Sequence, residues 1–243
     1  MGKVRFLQWG WLAIVAAVLA LALLHKNVRN EIPAPPPAPT ATPGPLAGLT
    51  VCLDPGHGGY DGGAAGWDSG TAEKELNLDV ARRLQALLAE QGAAVILTRT
   101  EDVALAEEGE GRKRRDLQAR VDCAAGADLF LSIHMNEYRT RTESGPQVFY
   151  RQGASDSRLL AGALQQQLNA DLSPARPRAA NTGDYYLLRN LEIPAVLVEC
   201  GFLSNPAEEA RLLTPEYRQA VAQSLCAGIF AYLALAQTRA GGV

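Results

Sequence analysis

The sequence predicts an α/β fold: one domain with a six-stranded, mostly parallel (mixed) twisted sheet flanked by helices, preceded by an N-terminal hydrophobic anchor and a Pro-rich linker. Two observations support this prediction. Short apolar runs of four or five residues alternate with segments of helical periodicity along the chain. The first two runs are also joined by a helical segment, which makes a βαβ unit, so the sheet must be at least partly parallel.

The six predicted strands are the short apolar runs that end in turn-forming or polar residues. They are Leu49–Leu53, Ala94–Thr98, Leu129–Ile133, Gln147–Tyr150, Tyr185–Leu188 and Ala195–Glu199. With 243 residues and 47% hydrophobic residues, the chain can enclose one sizeable core.

The clearest predicted helix spans residues 72–92, because its apolar positions recur at helical spacing and Gly92 can end it. Another helix is expected over Asp156–Leu172. The charged stretch 107–116 mixes both signs and is predicted to be a solvated loop.

Two later helices have recognisable start signals, in which a capping residue precedes proline. Asn205-Pro206 opens the first, and Thr214-Pro215 opens the second, which stays apolar to about Ala236.

The N-terminal segment, residues 1–28, has the composition of a signal peptide or a membrane anchor. Lys3 and Arg5 precede Trp9–Leu24, a run without a charge. We favour an uncleaved anchor, because the run is long for a signal peptide and tryptophan suits a membrane interface. The protein is therefore expected to be exported, with its N-terminal helix in the membrane.

A Pro-rich linker at residues 29–46 is predicted to run as an extended spacer between this anchor and the domain. The globular domain is expected over residues 47–237, followed by a tail at residues 238–243.

Charge and cysteine usage exclude several classes of protein. The net charge of -3 gives no basic field, so nucleic acid is not an expected partner. The four cysteines contain no C-x-x-C pair, and they are expected to be small buried side chains, with a disulfide left open if the domain is exported.

Three polar side chains with catalytic potential end predicted strands. His57 follows the first strand, His134 follows the third, and Glu199 follows the last. In open α/β sheets the carboxyl ends of the strands gather the site. A single histidine there is more often structural, and Glu199 can equally be paired with an arginine such as Arg120 or Arg189.

Glu73, at the start of the first helix, completes a candidate metal site with His57 and His134. Its structural alternative is a first-turn glutamate stabilised by the helix dipole. Together the three form a His₂Glu set, which is typical of catalytic zinc with one open position. The glycines around His57 allow the backbone to approach closely, and the Gly-Lys-Ser/Thr of a phosphate loop is absent from the sequence.

Glu199 would then act as a general base toward water, with an apolar setting that raises the pKa of its carboxyl group. The expected cofactor is one Zn²⁺ per chain.

Three blocks of the sequence resemble a known family: LDPGHGGYDGGAAG with EKELNL, then ADLFLSIHMNE, then LLRNLEIPAVLVECGFLSNPAEEARLL. Over Leu49–Tyr232 the chain resembles the zinc-dependent N-acetylmuramoyl-L-alanine amidases of bacterial cell walls, the Amidase_3 family. The resemblance implies zinc ligands at His57, Glu73 and His134 and a catalytic glutamate at Glu199.

Family members usually carry alanine where this chain has Met135, a change beside the ligand that leaves the ligand intact. Asn136 and Arg189 are the candidates for substrate contacts. The implied partner is peptidoglycan, in which the enzyme would cleave the amide bond between N-acetylmuramic acid and L-alanine.

The N-terminal anchor and the stretch 98–121 look more like the germination-specific amidases of endospore formers. That subgroup resemblance implies a role in spore-cortex synthesis through muramic-δ-lactam formation, in the cell wall or cortex compartment, with an accessory cell-wall enzyme as a candidate partner. The alternatives are a zinc deacetylase or carboxypeptidase acting on the same polymer, and a non-catalytic wall-binding protein. The last would have lost a ligand or the glutamate, and this sequence keeps all four.

Overall fold

The structure is a computed structural model that describes residues 44–241. The expected anchor at residues 1–28 and most of the linker at residues 29–46 lie outside the described residues, as do the last two residues of the expected tail.

Six strands form a single sheet in the order β2-β1-β3-β6-β4-β5. Strands β1 to β6 are Thr50–Pro55, Ala94–Leu97, Leu129–Asn136, Gln147–Tyr150, Asn181–Thr182 and Ala195–Phe202. All neighbouring strands are parallel except β4 and β6, which pair antiparallel. The predicted six-stranded, mostly parallel mixed sheet is confirmed.

Six helices surround the sheet in the described part of the chain. Helices α1 to α6 are Glu73–Glu90, Arg112–Cys123, Ser155–Leu172, Tyr186–Arg189, Pro206–Leu212 and Pro215–Ala240. Asn205 caps α5 by accepting hydrogen bonds from the N–H groups of Ala207 and Glu208, and Thr214 caps α6 by accepting from Tyr217. The two predicted start signals are therefore confirmed.

The core lies on both faces of the sheet, because buried parallel strands need cover on each side. On one face Val51 and Leu53 of β1 join a large cluster with α1, α3 and α6. On the other face Cys52 and Phe130 join a smaller cluster that α4 and the flank of α2 complete. All four cysteines are free, and three of them are buried.

Helix α6 is long and apolar enough to cross a membrane by length and composition alone. In this structure it packs against α1 and α3 and buries Val221, Leu225 and Ile229 in the larger cluster.

Two predictions of secondary structure are wrong. The run Tyr185–Leu188 was expected to be a strand, but Tyr186–Arg189 forms a helical turn, and the fifth strand is the two-residue Asn181–Thr182. A short apolar run does not distinguish strand from buried helix, and here Leu187 and Leu188 bury in the smaller cluster.

The expected loop at residues 107–116 ends early, because α2 begins at Arg112. Gly111, with φ 67°, precedes this helix, and the ion pair between Asp116 and Arg120 at i, i+4 is buried on its inner face.

Sheet register places the candidate residues together. His134 and Glu199 are direct neighbours across β3 and β6, and Pro55 at the end of β1 lies opposite Ile133. The carboxyl ends of three adjacent strands therefore meet at one edge of the sheet.

Candidate active site

Three side chains that can bind a metal converge at this edge. His57, Glu73 and His134 each offer one ligand atom, and the three atoms lie within 4.8 Å of one another. Glu73 stands between the rings: its Oε2 is 3.3 Å from Nε2 of His57, and its Oε1 is 3.0 Å from Nδ1 of His134. The structure thus brings together the three predicted ligands in a cluster that could hold a metal ion.

Glu73 is fixed by donors from three parts of the chain. Its Oε2 accepts a hydrogen bond from the N–H of Ala64 at 2.8 Å, and its Oε1 accepts from the N–H of Met135 at 3.0 Å and from Nδ2 of Asn77 at 3.1 Å. Burial opposes ionisation, but hydrogen bonds from His134 and then His57 outweigh it and hold the pKa of Glu73 well below its usual range. The carboxyl group is therefore a preorganised anion.

Two glycines leave the space that the cluster occupies. A Cβ on Gly56 would lie 2.2 Å from Cε1 of His134, and one on Gly63 would lie 2.5 Å from Oε2 of Glu73. Gly63 also has φ 70°. Any other residue at these positions would displace a candidate ligand, which supports the predicted role of glycines at these two positions.

His57 itself adopts a left-handed conformation, with φ 62°. Two buried arginines hold the backbone around it. Arg120 donates to the carbonyl oxygens of His57 at 2.7 Å and Pro55 at 3.0 Å, and Arg99 donates to those of Pro55 at 2.9 Å and Gly56 at 3.0 Å. The strain is offset by four charge-assisted hydrogen bonds to three consecutive carbonyl groups.

The charge of Arg120 is balanced below the site by two carboxylates. Asp54 is fully buried and accepts a hydrogen bond from Arg120 at 2.7 Å. It also accepts from the hydroxyl groups of Thr98 and Ser132, each at 2.6 Å. Asp116 accepts from the Nε of Arg120 at 2.8 Å. Burial lowers the pKa of Arg120, but Asp54 and Asp116 together outweigh burial, and the net direction is upward.

Asp61 approaches the other nitrogen of His57, with Oδ1 2.9 Å from Nδ1. It also pairs with Lys113. Burial opposes ionisation of Asp61, but Lys113 and then His57 lower its pKa to about 2. The contact with His57 is an ion-pair distance and not a hydrogen bond, because Nδ1 of His57 makes no hydrogen bond within residues 44–241.

Glu199 faces the cluster from β6 without a partner of its own. Within residues 44–241, its buried Oε2 makes no hydrogen bond. Burial, with a further contribution from Glu73, raises the pKa of Glu199 to about 7, against the opposing effect of His134.

The alternative in which an arginine pairs with Glu199 is wrong for both candidates. Arg120 pairs with Asp54 and Asp116, and Arg189 pairs with Asp184 at 2.5 Å.

A cavity of about 410 Å³ joins these residues. His57, Glu73, His134 and Glu199 line it, as does Asn136, and most of the remaining wall is apolar, formed in part by Leu117, Tyr185 and Leu197. Arg189 lines a neighbouring depression instead, together with Arg151 and Asp184.

Sequence reasoning missed the residues that support the cluster. These are Asp61, Asn77, Arg99 and Arg120, the last of which was considered only as a partner of Glu199. The available signal was the charged Asp54 at the end of an apolar strand, which requires a buried cation nearby.

A cluster of metal-ligand type that faces a carboxylate with one buried oxygen unpaired in the described chain, across a largely apolar cavity, is typical of hydrolases that activate water with a metal ion and a general base. The sequence matches the N-acetylmuramoyl-L-alanine amidase family over residues 51–231, and the chain belongs to this family. It is an N-acetylmuramoyl-L-alanine amidase, a hydrolase of peptidoglycan, and the predicted family is confirmed.

Two relatives illustrate the match. The germination-specific N-acetylmuramoyl-L-alanine amidase of Bacillus subtilis (strain 168) is 41% identical over 194 residues, which are 77% of this chain and 81% of that protein. The CwlD amidase from Clostridioides difficile, solved in complex with the GerS lipoprotein, is 35% identical with a TM-score of 0.74, over 77% of this chain and 99% of that one.

A second solved structure, the N-acetylmuramoyl-L-alanine amidase from Clostridium difficile 630, is 33% identical with a TM-score of 0.70 and covers 77% of this chain and 97% of that one.

Proposed function

We propose that the protein holds one Zn²⁺ with His57, Glu73 and His134 and uses it to cleave the amide bond between the lactyl group of N-acetylmuramic acid and the L-alanine of the stem peptide. The observation that carries the proposal is the convergence of these three ligand-type side chains in one cavity with the unpaired Glu199.

The donor set suits zinc better than the common hard cations. The two imidazoles are borderline ligands, which favour Zn²⁺ over Mg²⁺ and Ca²⁺, and zinc also accepts a carboxylate oxygen. Glu73 is an anion before any metal arrives, and Oδ1 of Asp61 lies 2.9 Å from Nδ1 of His57. When bound, zinc polarises the amide carbonyl and lowers the pKa of water.

Glu199 is proposed as the proton carrier. It lines the same cavity as the three candidate ligands, where it can accept a proton from the attacking water and return it to the leaving amine of L-alanine. Because Oε2 has no hydrogen-bond partner in the described chain, no protein donor occupies the oxygen that would accept the proton.

Much of the cavity wall is apolar, formed in part by Leu117, Tyr185 and Leu197. Asn136 lines this cavity and is proposed to hydrogen-bond the substrate near the scissile amide. Arg189, the other candidate, can reach only substrate groups that extend beyond the cavity into its own depression.

The proposed biological role and location are based on the similar proteins. Similarity to a germination-specific amidase supports a role in spore-cortex synthesis through muramic-δ-lactam formation, and the complex of the CwlD amidase with a lipoprotein supports an accessory partner. We propose that residues 1–28 anchor the protein, that residues 29–46 tether it, and that residues 47–237 act on peptidoglycan outside the cytoplasm.

The test measures metal content and product on the full-length chain, purified in detergent and incubated with purified peptidoglycan. We expect one zinc per chain and new L-alanine amino termini, with both lost after chelation and restored by added zinc. Release of acetate instead would identify a deacetylase, and tight binding of the polymer without zinc or product would identify a wall-binding protein.

A further inference from the structure

Two exposed aromatic side chains lie beside the cavity on one flank of the sheet edge. Trp67 is 62% exposed and Tyr138 is 51% exposed, whereas large apolar side chains are normally buried. Neither side chain lines the cavity.

Backbone hydrogen bonds place the two aromatic residues next to each other. The N–H of Trp67 donates to the carbonyl oxygen of Leu203 at 3.4 Å, and the N–H of Tyr138 donates to the hydroxyl group of Ser204 at 3.0 Å. Since Leu203 and Ser204 are consecutive, Trp67 and Tyr138 belong to one surface, which we call the aromatic flank.

The loop that carries Trp67 is held rigid by a buried carboxylate. Glu209, only 2% exposed, accepts hydrogen bonds from the N–H groups of Asp68 at 3.0 Å and Ser69 at 2.9 Å. Burial opposes its ionisation, but these two N–H groups lower the pKa of Glu209. An exposed tryptophan on a preorganised loop can bind a ligand with little loss of conformational entropy.

A charged pair accompanies the ring. The guanidinium group of Arg141 lies 4.7 Å from the centroid of the Trp67 ring and donates to Oδ1 of Asp68 at 3.2 Å. The aromatic flank therefore combines an apolar ring with one exposed cation and one exposed anion, both able to bond hydroxyl and amide groups.

The flank is continuous with the active site through the chain on both sides. Ala64, three residues before Trp67, lines the cavity and donates to Glu73, and Asn136 and Glu137, just before Tyr138, line it as well. The flank therefore adjoins, along the chain, two parts of the cavity wall.

We infer that the aromatic flank binds the glycan strand of peptidoglycan, with Trp67 stacking on the apolar face of an N-acetylhexosamine ring next to the muramic acid whose amide is cleaved. This inference rests on the proposed function. The scissile amide is joined directly to muramic acid, so the glycan must run past the edge of the cavity. An exposed aromatic ring with flanking polar groups matches a sugar, which has an apolar face and a polar rim.

Tyr60 provides a matched control. Like Trp67, it is exposed (50%) and stacks against an arginine, since the guanidinium group of Arg112 lies 3.9 Å from the centroid of its ring. Unlike Trp67, it lies on the part of the loop that contacts residues 102–104 and Lys113 and not Leu203.

The first experiment measures binding without chemistry. In a Glu199→Gln background, co-sedimentation with peptide-free glycan strands should weaken about tenfold for Trp67→Ala and remain unchanged for Tyr60→Ala. Trp67→Tyr should recover part of the binding. Equal binding by the Trp67→Ala and parent proteins would overturn the inference.

The second experiment separates the glycan from the reacting bond. On polymeric peptidoglycan, Trp67→Ala should raise KM about tenfold with kcat within about twofold, and on N-acetylmuramoyl-L-alanine alone it should leave both values unchanged. An equal loss on the small compound would assign Trp67 to the cavity. Unchanged kinetics on the polymer, with weaker capture of a lipoprotein partner, would assign the flank to protein binding.

The two proposals fail separately. If the parent protein lacks zinc or amidase product, the proposed function fails, but sedimentation with peptide-free glycan still tests the flank.

Discussion

Glu73 and Glu199 are carboxylates in the same cavity, but their hydrogen bonding differs and their pKa values are shifted in opposite directions. Glu73 receives hydrogen bonds from two backbone N–H groups and the amide of Asn77, whereas Oε2 of Glu199 receives none within the described residues. The pKa of Glu73 falls below its usual range and that of Glu199 rises to about 7. Side-chain type alone therefore does not assign a role, because the donors around each group make one a fixed anion and the other an exchangeable acid.

The difference follows from the elements that carry the two residues. Glu73 is the first residue of a helix. The loop before the helix folds back, and the N–H group of Ala64 in that loop donates to the carboxylate of Glu73. Glu199 sits within β6, between β3 and β4, where the backbone donors of its neighbours are engaged in the sheet. Buried Val198 and Cys200 flank it and offer no strong donor side chain.

The largest expected effect is that of Glu73→Gln, which removes the anion between the two histidines. Zinc affinity should fall by more than ~100-fold, because even outer-shell partners contribute 10–100-fold, and amidase activity should fall to background. Competition with a chelating dye measures the affinity. Glu75→Gln, an exposed position in the same helical turn, is the matched control and should behave like the parent. Full zinc occupancy in Glu73→Gln would refute the assigned ligand set.

Glu199→Gln should have the second largest effect and a different signature. Zinc content should stay at one per chain, while kcat should fall by at least ~100-fold, the low end for general acid–base catalysis. Turnover and bound metal are measured on the same preparation, with the exposed Glu192→Gln as control. Retained turnover would exclude Glu199 as the proton carrier.

The smallest effect concerns stability of the metal-free protein. The pKa of Glu199 is raised from 4.5 to about 7 on folding, so the native state binds more protons than the unfolded state between these values and loses stability as pH rises through them. Glu199→Gln should therefore raise the free energy of unfolding at pH 8 by roughly 2–3 kcal/mol and change it little at pH 4.

Glu73→Gln should have the opposite sign at neutral pH. The pKa of Glu73 is lowered on folding, so its stabilising contribution is present above the unfolded pKa and is lost only as pH falls. Denaturant titrations in chelator at pH 4, 7 and 8 compare both variants with the parent. Parallel pH profiles for Glu199→Gln and the parent would contradict the raised pKa.

The four central residues could be predicted because each sits where topology makes polarity informative. His57 follows β1, His134 and Glu199 directly follow the apolar runs inside β3 and β6, and Glu73 opens the helix that returns to the same edge. A polar side chain directly after an apolar run is unusual, and several of them at the same edge of a sheet indicate a functional site.

The supporting residues could not be predicted in the same way. Arg99 and Arg120 act on backbone carbonyl groups of the His57 loop, and no pattern in the sequence specifies which carbonyls a helix or strand neighbour will meet. Asn77 is placed by the rotation of α1, one turn after Glu73.

The prediction of the fifth strand was wrong because a short segment carries too little sequence signal. Asn181–Thr182 is too short to give a strand signal. The apolar run Tyr185–Leu188 is compatible with either a strand or a buried helical turn, and in the structure its leucines are buried in a helical turn.

The pairing of β3 with β6 also has a kinetic consequence. His134 and Glu199 are neighbours in the sheet although 65 positions (199 − 134) separate them, so the cavity is complete only after this distant parallel pairing has formed. Parallel pairing across such a separation is a slow and late event in folding. A metal that binds only the completed site stabilises the native state and not the folding transition state. Zinc should therefore slow unfolding of the domain while leaving its refolding rate almost unchanged.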